Sequence, residues 1–257
     1  MFTNNFDPVA FEFFSISIRW YSLAYIFGII FGWIYCKKIL IKTATIQKLF
    51  DDYISYLIIG IIIGGRLGYV FFYNFSYFLK NPIEVFMLWN GGMSFHGGLI
   101  GIIVFTYLFS KKNNQNIFIF LDLVSIVAPI GIFLGRISNF INGELYGRPS
   151  SILFGIIFPT ADDQYRHPSQ LYEAFLEGLL LFIILNISIF FFKTLSRPGY
   201  ISGLFLLFYG LFRFLVEFSR EPDIQVGYVY DFLTMGMILS VPMVIAGIGI
   251  LIVSSKR

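Results

Sequence analysis

Apolar residues in this chain fall in long, nearly unbroken blocks. They show neither the alternation of a half-buried strand nor the narrow stripe of a surface helix. Seven blocks approach the length a helix needs to cross about 30 Å of hydrocarbon. They run Trp20–Leu40, Tyr53–Phe72, Ser94–Phe109, Ile117–Leu134, Gln170–Phe192, Tyr200–Phe218 and Tyr230–Val253. The third is short and has room to extend either way. Buried parallel sheets also give apolar runs, but not repeatedly at this length. The connections are polar and punctuated by Gly, Pro and Asn. The longest, Gly135–Ser169, exceeds a simple hairpin and predicts a small extramembrane cap, with Ile152–Phe158 as a short strand inside it. The expected fold is all-α: a single polytopic membrane domain over residues 1–257, with about seven transmembrane helices and no internal repeat.

Charge gives this pattern a direction. Lys37, Lys38, Lys42 and Lys48 follow the first block, Lys111 and Lys112 the third, Lys193 and Arg197 the fifth, and Lys256 and Arg257 the seventh. These are alternate connections, so they share one side, and the excess of cations makes that side cytoplasmic. The N-terminus is then outside and the C-terminus inside. Arg19, Arg66, Lys80, Arg136, Arg148, Arg166, Arg213 and Arg220 lie on or near the opposite side. Topology alone does not select Arg over Lys there. The guanidinium is a rigid fork suited to phosphate or carboxylate, and it stays charged when partly buried. An outward-facing anion site is one reading; arginines snorkelling to the interface is the other.

Composition agrees with a lipid solvent. The chain is 57% hydrophobic and 13% charged, against about 25% charged in soluble domains, and its 33 Phe suit acyl chains better than water. A single cysteine, Cys36, excludes an internal disulfide framework. The first twenty residues carry Asp7, Glu12 and Arg19 with no basic leader, so no cleaved signal peptide is expected. No basic stripe supports nucleic-acid binding. Two His and one Cys offer no metal-ligand spacing, so neither metal nor cofactor is expected.

Five constellations carry candidate chemistry. Tyr209, Arg213 and Glu217 are spaced i, i+4, i+8 on one helical face inside the sixth block. Charges inside a membrane are costly unless paired or facing a polar cavity. The set is either an ion pair locking helices or an Arg held toward a lipid headgroup. Gly60, Gly64 and Gly68 form a small-residue stripe for close helix packing, repeated by Gly131 and Gly135; Arg66 beside it needs a carboxylate or phosphate partner. Gly91-Gly-Met-Ser-Phe-His96-Gly-Gly98 sets a lone His among glycines. It is either a proton-transfer group or a helix-to-helix hydrogen bonder. Gly135-Arg136-Ile-Ser-Asn139-Phe-Ile-Asn142-Gly143-Glu144-Leu-Tyr-Gly147-Arg148 packs amides and charges beside a span, as a head-group site or a plain polar loop. Arg166-His167-Pro168-Ser-Gln170-Leu-Tyr172-Glu173 opens the fifth block at a proline suited to a helix start. Glu173 and Glu177 follow at i, i+4, where they could neutralise arginines.

At these residues the chain resembles the bacterial prolipoprotein diacylglyceryl transferase family. The stretch Gly135-Arg136-x-x-Asn139-Phe-x-Asn142-x-Glu144-x-x-Gly147 matches its signature. Ser94-Phe-His96-Gly-Gly-Leu, Arg166-His-Pro-Ser-Gln-Leu-Tyr-Glu173 and Gly210-Leu-Phe-Arg213-x-x-Val-Glu217 match further family segments in order. The likeness runs from Trp20-Tyr21 to Arg220-Glu-Pro-Asp223, with Ser138 where many members have Gly.

The resemblance implies an enzyme of the bacterial inner membrane, with its active site toward the outer leaflet. Its partners would be phosphatidylglycerol, other membrane lipid, and the signal peptide of a prolipoprotein bearing a lipobox cysteine. The diacylglyceryl group moves to that thiol, forming a thioether and releasing glycerol phosphate. Carried over by motif, His96, Arg136, Arg213 and Glu217 are the catalytic set. Arg136, Asn139, Glu144, Gly147, Tyr21, Tyr209 and Arg66 are the substrate-binding set. Arg136 would bind the lipid phosphate and Arg213 the leaving group, with Glu217 and Glu144 positioning them. His96 is the candidate base, with loss of the proton to water from an arginine-stabilised thiolate left open. A lipid transporter is the competing class; its polar route inward would rest mainly on Asp122. A Ser94–His96 hydrolase fails because i and i+2 do not face each other on a helix, and an intramembrane protease has no dyad or metal site.

Overall fold

Long apolar helices dominate because lipid offers no partner for backbone N–H and C=O groups, which a helix satisfies internally. The computed structural model describes residues 2–14, 16–151, 155–222, 227–230 and 233–256. The principal helices are α1 (Trp20–Leu40), α2 (Ala44–Phe72), α3 (Phe75–Lys80), α4 (Phe95–Lys112), α5 (Ile117–Asn142), α6 (Ser169–Phe192), α7 (Tyr200–Val216) and α8 (Met235–Ser255). Five of them, α1, α2, α5, α6 and α8, are long and apolar enough to cross a membrane. The apolar α7 is shorter, at 17 residues.

Two helices outrun their apolar blocks. α2 starts at Ala44, nine residues before Tyr53, because its first turns carry Lys48, Asp51 and Asp52 and belong outside hydrocarbon. α5 continues through Asn142, eight residues beyond Leu134. The stretch read as the start of the cap is therefore the last two turns of a helix, and it puts Arg136 and Asn139 one turn apart.

The all-α expectation also needs correcting, because the mostly helical fold carries short strands. β1 (Phe2–Thr3) pairs in parallel with β4 (Ile156–Ile157), which pairs antiparallel with β5 (Tyr165–Arg166). β2 (Val9–Phe13) and β3 (Ile16–Arg19) form a hairpin, and β6 (Tyr228–Tyr230) pairs with β7 (Leu233–Thr234) just before α8. These two-to-five-residue pieces leave little periodic signal. Of the expected strand Ile152–Phe158, residues 152–154 lie outside the described residues and Ile156–Ile157 is β4. Asp223 of the last family segment also lies outside them.

The chain divides into two compact units, Met1–Tyr35 with Asp122–Arg257, and Cys36–Leu121. In the second, the glycine stripe does what its spacing predicts. A Cβ on Gly64 would sit 2.3 Å from the Gly97 carbonyl oxygen and 2.7 Å from the Gly101 Cα. The backbones of α2 and α4 therefore nearly touch. Gly64→Leu should part these helices and cost about 1–3 kcal/mol by overpacking; an unchanged thermal midpoint in detergent would count against that packing. Beneath lies an aromatic core in which the Tyr53, Phe109 and Phe120 rings sit 4.8–5.3 Å apart. The Tyr53 hydroxyl lies 2.7 Å from Thr106 Oγ1. Cys36 is fully buried in this unit. Gly131 and Gly135 differ from the first stripe: a Cβ on either would meet nothing within 4 Å.

In the first unit, α7 and α8 pack through Gly203, Gly210 and Gly247. Asp122 lies here too, 1% exposed. Its carboxylate accepts from the Gly199 N–H at 2.7 Å, the Ser202 N–H at 2.8 Å and the Ser202 hydroxyl at 2.6 Å. It caps the N-terminus of α7, where backbone donors have no helical partner and the helix dipole favours an anion. That structural task accounts for the residue on which an inward polar route would have rested.

Candidate active site

The first unit gathers six charged side chains from α5, α6 and the end of α7. Arg136, on the last turns of α5, places Nε 2.9 Å from Glu173 Oε2 and Nη2 3.7 Å from Glu177 Oε2. Arg213 donates from Nη1 to Glu173 Oε1 at 2.6 Å and from Nη2 to Glu217 Oε1. Arg220 donates to the same Glu173 oxygen at 2.8 Å. Glu217 is held from its other side by Thr234 Oγ1 at 2.6 Å. Glu173 and Glu177 are wholly buried, whereas the Arg136 and Arg213 side chains keep 18% and 15% of their surface. The carboxylates thus lie behind and the guanidiniums face out.

Local sequence explains the convergence. Glu173 ends the first turn of α6, and Ala174–Leu180 then widens into a π-helical stretch, a form that recurs at functional sites. Gly178 in that stretch lies so close to α5 that a Cβ would sit 2.7 Å from the Phe133 Cβ. This brings both glutamates against the helix carrying Arg136. The i, i+4 spacing of Arg213 and Glu217 on α7 pairs them directly, and Tyr209 one turn earlier is buried.

Arg136 differs from its neighbours. Its Glu173 contact lacks hydrogen-bond alignment, and Glu173 Oε2 has no hydrogen-bond partner. Among the described residues no hydrogen bond uses any of its five donors. One residue along, Ile137 with Phe140 and Ile141 lines an apolar groove of about 580 Å³ bounded by Phe6, Val9, Trp20 and Leu171.

The remaining expected residues are placed as follows. Asn139 is buried and donates to Glu144 Oε1 at 2.7 Å, with Asn142 donating to the same atom at 3.2 Å. Glu144 therefore holds amides. The arginines it was expected to position are held by Glu173, Glu177 and Glu217. Gly147 donates to the His167 carbonyl at 2.9 Å and leaves no room for a side chain, since a Cβ would lie 2.5 Å from the Ser219 carbonyl. Tyr21 and Tyr25 on α1 bring their hydroxyls within 3.4 Å.

Two of the outer arginines build loops. Arg148 donates to the carbonyls of Arg220 at 2.8 Å and Glu217 at 3.1 Å, stapling the exit of α7. Arg166 grips Asp162 at 3.0 and 2.6 Å and Glu221 at 3.0 Å. Those bonds hold the Asp162 carboxyl below its usual range. Burial, helped by the charge of Arg148, holds His167 below the usual imidazole value.

His96 and Arg66 belong to the second unit. His96 is exposed on the first turn of α4, which Ser94 caps by accepting from the Gly97 N–H at 3.2 Å. Arg66 is 4% exposed. Its Nε donates to Val85, Nη1 to Gly91 and Gly92, and Nη2 to Glu84 and Met87, all backbone carbonyls. Gly91 and Gly92, at φ 76° and 83°, adopt the left-handed conformation glycine tolerates. The expected partner of Arg66 was an anion; the partners observed are carbonyl dipoles.

Sequence reasoning treated Glu173 only as a neutraliser, yet it is the hub of three arginines. Arg220, expected only as an outer cation, is one of them. The readable signals were the Glu173–Glu177 spacing and the position of Arg220 three residues after Glu217.

Comparison with known proteins identifies the family. The prolipoprotein diacylglyceryl transferase family matches residues 8–253. Proteins named phosphatidylglycerol--prolipoprotein diacylglyceryl transferase are close relatives. That of Rickettsia bellii (strain OSU 85-389) is 49% identical over 255 residues, covering 98% of this chain and 97% of the relative. Those of Rickettsia felis and Rickettsia rickettsii (strain Sheila Smith) are 52% and 53% identical over 245 residues, covering 95% of each chain. The chain belongs to the prolipoprotein diacylglyceryl transferase family.

Proposed function

We propose that this membrane protein transfers the diacylglyceryl group of phosphatidylglycerol to the lipobox cysteine of a prolipoprotein. The observation that carries the site reading is Arg136: a guanidinium with unused donors, backed by buried carboxylates, beside Arg213 and an apolar groove. In the reaction a thiolate attacks the glycerol carbon, the carbon–oxygen bond breaks, and a phosphomonoester leaves. Charge on the phosphate grows from one toward two negative charges along this path. Preorganised cations stabilise such growth. Arg136 holds the phosphate, and Arg213, fixed by Glu173 and Glu217, meets the departing oxygen. Asn139, oriented by Glu144, and Tyr21 line the headgroup; Tyr209 and Gly147 support Arg213 and the adjoining loop. The groove beside Ile137 suits an acyl chain.

Seven spans, with α4 and α7 completing the five long helices, fit the lysine pattern. At about 1.5 Å per residue their 18 and 17 residues span roughly 26 Å. The N-terminus is then outside, the C-terminus in the cytoplasm, and the arginine site in the outer leaflet of a bacterial inner membrane. The segment after Asn142 forms the small extracytoplasmic cap. Arg66 takes a positioning role: it gathers the Glu84–Gly92 carbonyls of the loop leading to Ser94 and His96.

Purified protein incubated with phosphatidylglycerol and a lipobox peptide should yield a thioether-linked diacylglyceryl peptide and glycerol phosphate. Lipid movement without that product would support transport instead. His96 is the base in this scheme. His96→Gln should lower transfer about 100-fold near neutral pH. Part of the loss should return as pH approaches the thiol's own value of about 8.5. A full rate at neutral pH would leave proton loss to water as the route.

A further inference from the structure

We infer that Glu177 carries a proton when the anionic lipid is bound, and so acts as the charge-balancing residue of the site. The argument rests on the proposed lipid reading and begins with a count of charges. Among the described residues, the cluster opposes Arg136, Arg213 and Arg220 to Glu173, Glu177 and Glu217. It is already neutral. Adding a phosphodiester monoanion to a set this poorly hydrated leaves one negative charge in excess, and buried net charge is expensive. One carboxylate has to give way.

The contacts identify which. Glu173 receives hydrogen bonds from two arginines and a close approach from a third. Glu217 receives them from Arg213 and Thr234. Glu177 has none: both its oxygens are wholly buried without a hydrogen-bond partner. Its nearest cations, Arg136 Nη2 and Arg213 Nη1, stand off at 3.7 and 3.8 Å. The charged and titratable groups facing it are Arg136 from α5, Arg213 and Tyr209 from α7, Arg220 beyond α7, and Glu173 on its own helix. Two of these approach each other as like charges, Glu173 and Glu177, one helical turn apart. When a phosphate draws Arg136 outward, Glu177 loses the nearer of its two cations, while Glu173 keeps the hydrogen bonds from Arg213 and Arg220. A protonated Glu177 leaves three guanidiniums opposite two carboxylates and one phosphodiester, which sums to zero.

The sign of the pH dependence follows. If the lipid-bound state holds one proton more than the empty state, the lipid binds more weakly as pH rises past the titration of empty Glu177. The limit is tenfold in affinity per pH unit. This opposes the thiol, whose ionisation raises kcat with pH, so KM for lipid and kcat separate the two. The test measures KM for phosphatidylglycerol at saturating lipobox peptide across the neutral and alkaline range, for wild type and Glu177→Gln, with a thermal melt confirming that the variant is folded. Wild type should show KM rising with pH. Glu177→Gln, a fixed neutral mimic, should give a KM that no longer rises with pH. A flat wild-type profile, or a rise that persists in Glu177→Gln, overturns the inference. Absence of any thioether product from wild type overturns instead the reading on which it rests.

Discussion

Replacing Arg136 or Arg213 by Lys lowers diacylglyceryl transfer by about 100-fold or more, while the helices stay folded. Lys keeps the charge, so the loss isolates geometry. Arg213 bridges Glu173 and Glu217 with two different nitrogens, and one ammonium on a flexible stem cannot reproduce that fork. The two variants should differ in kind. In the proposed mechanism Arg136 meets the phosphate in the ground state, so Arg136→Lys should raise KM for lipid as well as lower kcat. In the same proposal Arg213 faces charge that develops only as the bond breaks, so Arg213→Lys should lower kcat with little change in KM. Steady-state transfer to a lipobox peptide, beside a thermal melt in detergent, checks both. Near-normal turnover in either variant would refute its assigned role.

The membrane class, the order of the apolar blocks and the glycine stripe were all legible, because each depends on composition or short-range spacing. Gly60, Gly64 and Gly68 lie on α2 alone, and their spacing is enough to predict a close partner. Helix ends were less legible. An apolar run marks where lipid is, and α2 and α5 extend past it on polar turns that form no block of their own. That misplacement hid a useful fact: Arg136, Asn139 and Asn142 are helical neighbours and not points on a loop.

The site was legible as a list of residues and illegible as a set of partnerships. Seven outer arginines look alike in sequence, yet Arg66, Arg148 and Arg166 bind loop carbonyls and carboxylates, whereas Arg136, Arg213 and Arg220 share buried glutamates. The contacts of Arg136, Arg213 and Arg220 with Glu173 join residues 37 to 47 positions apart in the chain, a separation at which local pattern carries no information. Asp122 makes the same point in reverse. A lone intramembrane carboxylate reads as functional by default, but its three donors come from the start of a helix 77 to 80 residues later.

Glu173 is the residue on which the cluster's stability should turn. Arg213 and Arg220 both donate to its Oε1, at 2.6 and 2.8 Å, and Arg136 lies 2.9 Å from its Oε2. Three cations are thereby held around one fully buried carboxyl. Glu173→Gln keeps the shape and removes the charge, leaving three guanidiniums opposed by two carboxylates with little water to screen them. Breaking a buried ion pair by deleting one partner costs about 3–5 kcal/mol, so the variant should melt well below wild type and transfer no lipid at a measurable rate. Adding Arg220→Met tests the cause. Arg220 is the most buried of the three cluster arginines, with 8% of its side chain exposed against 18% and 15%, so removing its charge restores the cation-to-carboxylate balance while leaving the two more exposed arginines in place. The double variant should recover at least half of the lost stability. Activity should stay low, because Arg136 and Arg213 would still lack the carboxylate that orients them. If Glu173→Gln melts with wild type, or if Arg220→Met deepens the loss, the cluster is not held by charge balance around Glu173.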